Sequence, residues 1–345
     1  MDRLGEVDIS QTSQMGYNMS INRLKVTSVE SNNNNSPPPL SRSARRQEVE
    51  ATMERLWLNN PEQFNPERDA VQRKRVSSTL MTIKKHLHLK DKQSVDLGCG
   101  SGTMTRLIRD EGVKIDAVDI ASQALELLKA NNMRDITPIQ DCLPSTRLDD
   151  NAYDLVICTE MIGYLQPKEY RMMFAELARL VKKDGIVLCS TSLELNSENA
   201  LERFAALAET EFEIEEWVLR YDLLWIKFCH FFEMPTLFIK MSQNDFERNK
   251  EVEKRKGFGK FWFKINTSTP LLLLWRLINP ISKSIAKVLR QSEWLVNFLE
   301  KITKFIWDES GISYAMLIGK RRPMIFPLPA NELPVEMKHK REVWD

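Results

Sequence analysis

Apolar and polar positions repeat with two different periods along the middle of the chain. Short apolar runs such as "SVDLG", "KIDAVDI" and "YDLVICT" are typical of buried strands. In "SQALELLKANN" and "KEYRMMFAELARLVKKD" the apolar residues recur every three or four positions, as in amphipathic helices. Strands that alternate with helices of this length form a parallel sheet with helices on both faces. The right-handed crossover rule then predicts a doubly wound α/β fold.

The pattern changes at several points, and these changes give the predicted domain organisation. In chain order we predict a disordered segment over 1–46, helices over 47–92, an α/β core over 93–219, a helical insertion over 220–310, the last core strand over 311–322 and a tail over 323–345. The first segment is rich in Ser and Asn and buries too little apolar area to offset its ordering entropy. Because a final strand follows the insertion, we expect the insertion to belong to the core domain.

Composition and charge narrow the class of protein. The chain has 345 residues and a net charge of +1, which disfavours strong overall attraction to nucleic acid but not a local basic patch. Its five cysteines show no C-x-x-C spacing, so we expect reduced thiols and no structural zinc site. Neither a secretory signal nor an apolar stretch of the roughly 18 residues that span a bilayer is visible. The sequence therefore predicts a cytoplasmic protein without a transmembrane segment.

A glycine-rich stretch, "VDLGCGSGTM", follows the first predicted strand, where doubly wound folds bind nucleotides. Counted from Gly98, the dinucleotide fingerprint G-x-G-x-x-G requires its third glycine at position 103, but Thr103 stands there and Gly102 comes one residue early. The Lys-Ser/Thr pair of a P-loop is missing as well. Asp96, just before the glycines, would repel a pyrophosphate and attract a positively charged ligand. These features favour S-adenosylmethionine, which carries a sulfonium and an α-amino group.

Two more carboxylates follow predicted strands. Asp119 ends the second strand, 21 residues after Gly98, where a carboxylate can accept hydrogen bonds from both ribose hydroxyls. Asp141 follows the third strand, in "QDCLP", where it can accept a bond from an adenine amino group. Each has a structural alternative: Asp119 as an acid at a helix N-terminus, and Asp141 as the cap of a turn.

At this point the stretches "VDLGCGSG", "AVDIA", "QDCLP" and "YDLVICTEMIGYL" resemble the successive motifs of class I S-adenosylmethionine-dependent methyltransferases. The resemblance covers about residues 93–191 and the closing strand. It implies a Rossmann-like sheet, mostly parallel with an antiparallel last strand, and a helical insertion before that strand. It also implies S-adenosylmethionine as cofactor. The cofactor-binding residues that it implies are Asp96, Gly98, Cys99, Gly100 and Gly102 at the methionine end, Asp119 at the ribose, Ile120, Asp141 and Cys142 around the adenine, and Thr159 where the acceptor loop begins.

The acceptor loop supplies two catalytic candidates, Glu160 and Tyr164. Among small-molecule enzymes, the chain resembles quinone O-methyltransferases. Some of these carry a Glu-x-x-Glu-His pattern after the fourth strand, which is associated with a divalent metal. Here the stretch is "EMIGY", so Gly163 and Tyr164 replace the second Glu and the His. A carboxylate–imidazole site cannot form from these residues, and we predict no metal. Glu160 could equally be a solvated acid, and Tyr164 a packing residue.

The insertion over 220–310 is where we expect acceptor specificity. It holds 16 of the chain's 29 aromatic residues, and 16 Lys or Arg against 10 Asp or Glu. Helical spacing predicts one apolar stripe made of Ile281, Ile285, Val288, Leu289, Leu295, Leu299, Ile302 and Ile306. Three interpretations remain open: a lid that packs on the core, a cap in peripheral contact with a membrane, and an RNA surface.

The sequence thus predicts a methyltransferase that acts on a small or lipid-like acceptor. The alternatives are an RNA methyltransferase that uses the basic aromatic insertion, and a non-catalytic cofactor-binding module that interacts with a partner.

Overall fold

A seven-stranded sheet forms the centre of the protein in a computed structural model, which describes residues 42–323 except 131–132, 194–198, 254 and 256. The strands are β1 (Gln93–Leu97), β2 (Lys114–Asp119), β3 (Ile136–Gln140), β4 (Tyr153–Thr159), β5 (Val181–Ser192), β6 (Phe212–Arg220) and β7 (Tyr314–Arg321). Their order across the sheet is β3-β2-β1-β4-β5-β7-β6. Since β1 lies between β2 and β4, the strand order reverses beside the loop that follows β1.

The strands β1 to β5 pair in parallel, whereas β7 lies antiparallel between β5 and β6. The predicted fold class, a mostly parallel doubly wound sheet with an antiparallel last strand, is confirmed. Arg220, the last residue of β6, is the register partner of Tyr314, the first residue of β7. The insertion therefore leaves the sheet and returns to it at directly neighbouring positions.

Helices cover both faces of the sheet. The core helices are α1 (Arg42–Asn59), α2 (Ala70–His86), α3 (Thr103–Asp110), α4 (Ser122–Lys129), α5 (Tyr170–Leu180) and α6 (Ala200–Glu209). One face packs against α5 and α6 through residues such as Phe174 and Phe204. The other packs against α2, α3 and α4 through Ile83, Ile108 and Leu128. Both layers hold fully buried aliphatic side chains, which is why the central strand β4 is apolar at most of its positions.

The insertion folds into helices that pack on one another and on α2. These are α7 (Leu223–Gln243), α8 (Asp245–Glu253), α9 (Gly257–Asn266), α10 (Thr269–Arg290) and α11 (Glu293–Trp307). Phe238 of α7 is completely buried, and its ring centroid lies 5.4 Å from that of Trp275 on α10. On the opposite side, Trp225 of α7 packs with Val71 of α2 and Val296 of α11. The first cluster holds helices of the insertion together, and the second attaches the insertion to α2 of the core.

The predicted boundaries need correction in two places. The helix predicted to start at residue 47 begins at Arg42, so the last residues of the segment predicted to be disordered are helical. The helix predicted to reach Asp184 ends at Leu180, because Val181 already pairs with Tyr153 as the first residue of β5. The rest of the predicted disordered segment, and the tail beyond Pro323, lie outside the described residues.

The apolar stripe predicted over 281–306 is also interrupted. A break at Gln291 and Ser292 separates α10 from α11, so the apolar positions of the two helices do not form one continuous stripe. Leu295 and Leu299 pack against the core, but Ile281 and Val288 are mostly exposed. Among the described residues, no helix combines the length and apolar character needed to span a membrane.

Candidate active site

The glycine loop after β1 turns tightly against the end of β2. The N–H groups of Gly98 and Cys99 both donate to the carbonyl oxygen of Val118, at 2.8 and 3.0 Å. Gly98 has φ +77°, a conformation that an L side chain adopts only under strain, and a Cβ there would collide with Met161 Sδ. Gly102, also in the left-handed region, starts α3. The loop thus exposes its backbone at the carboxyl edge of the sheet.

Asp96 lies beneath this loop and is 2 % exposed. Its Oδ2 accepts a hydrogen bond from Thr105 Oγ1 at 2.7 Å. Burial raises the pKa of Asp96 to about 6, although the Thr105 bond opposes the shift. The same surroundings raise the pKa of the Cys99 thiol, chiefly through burial, so this cysteine stays neutral.

Asp119 ties the glycine loop to the next strand–helix turn. Its Oδ2 accepts from the N–H of Gly100 and its Oδ1 from the N–H of Ala121, each at 2.9 Å. Burial raises the pKa of Asp119, while these backbone bonds oppose that rise. Ile120 gives the carboxylate a third backbone hydrogen bond, which leaves at least one of its four acceptor positions for a ribose hydroxyl. Ile120, the next residue, packs in the cluster that contains Trp57.

Asp141 is surrounded by donors from the protein itself. Its Oδ1 accepts from Arg46 Nη2 at 3.0 Å and from the N–H of Cys142 at 2.9 Å. Its Oδ2 accepts from the N–H and Nε of Arg147 at 2.8 and 3.2 Å. These bonds outweigh burial and lower the pKa of Asp141. All four acceptor positions are filled, so a bond to an adenine amino group requires one donor, such as the half-exposed Arg46, to move.

The helix α1 lies across the ends of β2 and β3 and contributes residues that the motifs did not reveal. Glu54 accepts from the N–H groups of Ser122 and Gln123 at 2.5 and 3.2 Å, and so caps α4. Trp57 is 5 % exposed, stacks on Phe64, and lies so close to Gly100 that a Cβ there would meet its indole ring at 3.0 Å. The site is therefore covered by the helix α1, which precedes all the motifs in the sequence.

Glu160 lies at the carboxyl end of β4 in a network of charges. Its Oε1 accepts from Arg75 Nη1 at 2.8 Å and its Oε2 from Ser192 Oγ at 3.0 Å. Arg75 is buried, lies over the ring of Tyr314 and also donates to Asp222 at 3.3 Å. Burial alone would lower the pKa of Arg75, but these carboxylates raise it above its usual value. Arg75 and Ser192 thus hold the Glu160 carboxyl group in place beside the loop where we expect the acceptor.

The remaining predicted residues lie around the same edge. Thr159 ends β4 and pairs with Ser190 of β5. Tyr164 packs with Trp57 and Ile120, and burial together with the charges of Glu160 and Asp119 raises its pKa well above the ordinary range. The side chain therefore stays a protonated phenol. Cys142 is partly buried, and burial raises its pKa.

Comparison with known proteins assigns the central segment. Residues 95–185 match a family model described as a methyltransferase domain. These residues run from β1 to the start of β5 and include the glycine loop, Asp119 and Glu160. Residues 95–185 form a methyltransferase domain. The methyltransferase that the motifs indicated is confirmed for this segment.

Similar sequences and structures cover parts of the chain. A ubiquinone biosynthesis O-methyltransferase of Burkholderia pseudomallei is 30 % identical over 116 residues, 32 % of this chain and 49 % of that protein. The chain thus spans about half the length of the curated relatives it matches. Among solved structures, the N-methyltransferase NodS from Bradyrhizobium japonicum in complex with S-adenosyl-L-homocysteine is 14 % identical, with a TM-score of 0.43, covering 50 % of this chain and 89 % of that one.

The residues of the site fit S-adenosylmethionine. The loop has glycine at every second position, Asp119 keeps acceptor capacity for a ribose hydroxyl, and Asp96 places a carboxyl group under the loop. The described residues contain no cluster of His, Cys, Asp and Glu suited to a metal ion. Arg46, Trp57, Arg75 and Ser192 were missed because each lies outside the motifs and reaches the site only through the fold.

Proposed function

We propose that this protein transfers a methyl group from S-adenosylmethionine to a small or lipid-like acceptor. The observation that carries the proposal is the glycine loop bonded to Asp119 above the buried Asp96, inside a methyltransferase domain. The donor supplies an already activated methyl group, so the protein mainly has to bind and align two molecules. This is the chemistry that a site of fixed charges and backbone donors can support.

Each polar group of the site has a role in this proposal. Asp119 holds the ribose hydroxyls, and Asp96 faces the ammonium group of the donor. Glu160, fixed by Arg75 and Ser192, accepts a hydrogen bond from the acceptor and so orients its nucleophilic atom. Tyr164 is a hydrogen-bond donor, because its raised pKa keeps the phenol protonated. The active site contains no metal in this proposal.

The acceptor class is supported by the relatives and by the position of the insertion. Several relatives are named ubiquinone biosynthesis O-methyltransferase, so a small aromatic acceptor with an apolar tail is consistent with the domain. Arg75, which holds Glu160, also pairs with Asp222, the residue just before α7. The insertion therefore begins next to the acceptor side, and we infer that it shapes the acceptor pocket.

A lipid-like acceptor implies contact with a membrane. We propose a cytoplasmic enzyme that meets its acceptor at a membrane through the insertion over 220–310. The RNA acceptor and the non-catalytic cofactor-binding module remain the competing hypotheses, and the comparisons add no support to either.

The class of acceptor can be tested by label transfer. A lysate that lacks the protein is given methyl-labelled S-adenosylmethionine, and the purified protein is added back. Label in the lipid or small-molecule fraction is the expected result. Label in RNA would overturn the acceptor class, and label in no fraction would favour the cofactor-binding module.

Donor binding can be tested separately with Asp119→Asn. This change removes the charge that accepts the ribose hydroxyls, so we expect calorimetry to show a loss of donor affinity of about 100-fold or more. Asp116→Asn is the matched control, since Asp116 lies on the same strand but bonds to the Tyr153 hydroxyl. Equal affinity of the two variants for the donor would show that Asp119 does not bind the ribose.

A further inference from the structure

The outer side of the insertion exposes large apolar side chains that the proposed methyl transfer does not use. Phe258 on α9 is 77 % exposed, and Leu277 and Val288 on α10 are each 72 % exposed. With their neighbours they form what we call the outer apolar face, which consists of Phe258, Phe261, Leu273, Leu277, Ile281 and Val288. Scattered exposed apolar residues are ordinary, but Leu273, Leu277, Ile281 and Val288 recur at helical spacing on one side of α10. Such a set indicates an interaction surface.

The packing of α10 keeps this face outward. On its inner side, Trp275 packs against the buried Phe238 of α7. Ser282 Oγ donates to the carbonyl oxygen of Phe232 at 2.6 Å, and Asn279 is hydrogen-bonded to Thr236 at 2.6 Å. A rotation of α10 that buried Leu277 would break all of these contacts. The side chains of the outer apolar face therefore cannot be buried within the insertion while α10 keeps these contacts.

The charge of this region is one-sided. Residues 257–290 contain six Lys or Arg and no Asp or Glu, although the whole chain carries a net charge of only +1. Arg290 pairs with Glu233. Within the part of the chain that the structure describes, Lys260, Lys264, Arg276, Lys283 and Lys287 have no carboxylate partner.

The free cations lie along one edge of the apolar face. Arg276, Lys283 and Lys287 are seven and four residues apart, a spacing that aligns them on α10 next to Leu277 and Val288. An amphipathic helix with an apolar side and an edge of cations is the arrangement that lies in the plane of a membrane surface.

We propose that the outer apolar face docks on the surface of a bilayer that contains anionic phospholipids. The apolar side chains would enter the level of the headgroups, while the lysines and Arg276 contact lipid phosphates. An RNA strand fits less well, because the α10 part of the face is aliphatic and offers no ring on which bases stack. A second copy of the chain would bring these uncompensated cations against one another.

The proposal is tested by sedimentation of the full chain with vesicles, a measurement that needs no turnover and stands apart from the test of methyl transfer. We expect binding to vesicles of phosphatidylcholine with phosphatidylglycerol, and little binding to phosphatidylcholine alone. Leu277→Glu with Val288→Glu should lower the partition at least tenfold. The matched control is Met81→Glu with Met172→Glu, which changes two exposed apolar residues elsewhere and should bind like the unchanged chain.

The electrostatic part is tested with Lys283→Gln and Lys287→Gln together. Because each cation near an anionic surface contributes to the free energy of membrane binding, we expect about a tenfold loss of binding to the anionic vesicles. Lys90→Gln with Lys183→Gln removes the same charge from another surface and should have little effect. The proposal is overturned if vesicles do not bind the unchanged chain, if both pairs of variants lose binding equally, or if Leu277→Glu with Val288→Glu abolishes self-association or RNA binding instead.

Discussion

The buried Asp96 carboxyl shows how a single residue can make donor binding depend on pH. Its pKa is raised from 3.8 to about 6 by burial. Between these values the folded chain binds a proton that the unfolded chain has already lost, so the contribution of Asp96 to folding stability falls as the pH rises. A positively charged donor has the opposite preference, because it interacts with the ionised carboxylate.

We therefore expect donor affinity to rise as the pH increases through 6, with release of a proton on binding near that pH. Calorimetry in buffers of different ionisation enthalpy measures both quantities. Asp96→Asn should remove the pH dependence. Thr105→Val removes a bond that lowers the pKa of Asp96, so it should move the midpoint to a higher pH. An unchanged pH profile in Asp96→Asn would assign the dependence to another group.

At the residue scale, the sequence predicts the position of a side chain well where the residue lies at or next to the end of a strand. Asp96, Asp119 and Asp141 lie at the edge of the sheet where the strand pattern places them. What those carboxylates contact was not predictable. The donors to Asp141 come from Arg46, 95 residues away in the chain, as well as from the adjacent turn.

At the scale of elements, the helix α1 covers the glycine loop, and we expect it to move when the proposed donor enters or leaves. Trp57 lies against Gly100, and Arg46 occupies an acceptor position of Asp141 that we assigned to adenine. Because Arg46 is 45 % exposed, its ion pair is expected to contribute only about 0.2–1 kcal/mol.

Arg46→Ala should accordingly speed donor association and dissociation by a factor of up to about 5, as the corresponding free energy implies. Stopped-flow measurement of tryptophan fluorescence would report the change near Trp57. Arg55→Ala is the control, since Arg55 lies on the same helix and, among the described residues, its guanidinium bonds only to Ala51 and Thr52. Identical rates in both variants would mean that α1 does not need to move.

The strands and most helices were predictable because burial imposes their periodicity directly. The helix ends were less so. The charged stretch after Leu180 continues the helical pattern, yet β5 starts there because its first residue has a partner on β4. The face that α10 turns outward was not predictable either, since it depends on contacts such as that of Trp275 with Phe238.

On the scale of the whole molecule, a buried charge network joins the core to the insertion. Asp222, whose side chain is 1 % exposed, accepts from Arg75 on one side and from Arg220 on the other. Arg220 also reaches Glu300 on α11, which pairs with Lys74 of α2. Arg75 therefore connects Glu160, which we expect at the acceptor side of the site, to Asp222 at the start of the insertion.

Asp222→Ala should destabilise the protein by about 3–5 kcal/mol, because it leaves two buried guanidinium groups without one of their counter-charges. Urea unfolding measures the change. Asp150→Ala, which breaks an exposed pair with Arg179, should change stability by no more than about 1 kcal/mol. A small effect of Asp222→Ala would indicate that the network is compensated by its remaining carboxylates.

The pairing of Arg220 with Tyr314 has a consequence for how this architecture can diversify. Because the insertion starts and ends at register partners of one antiparallel ladder, the strands on either side are already aligned without it. A short hairpin turn could connect the same two positions with the sheet unchanged. The segment between them is thus an exchangeable module. Its loss or replacement would alter the surface that the protein presents to other molecules, while the half of the sheet formed by β1 to β4 keeps its strand order.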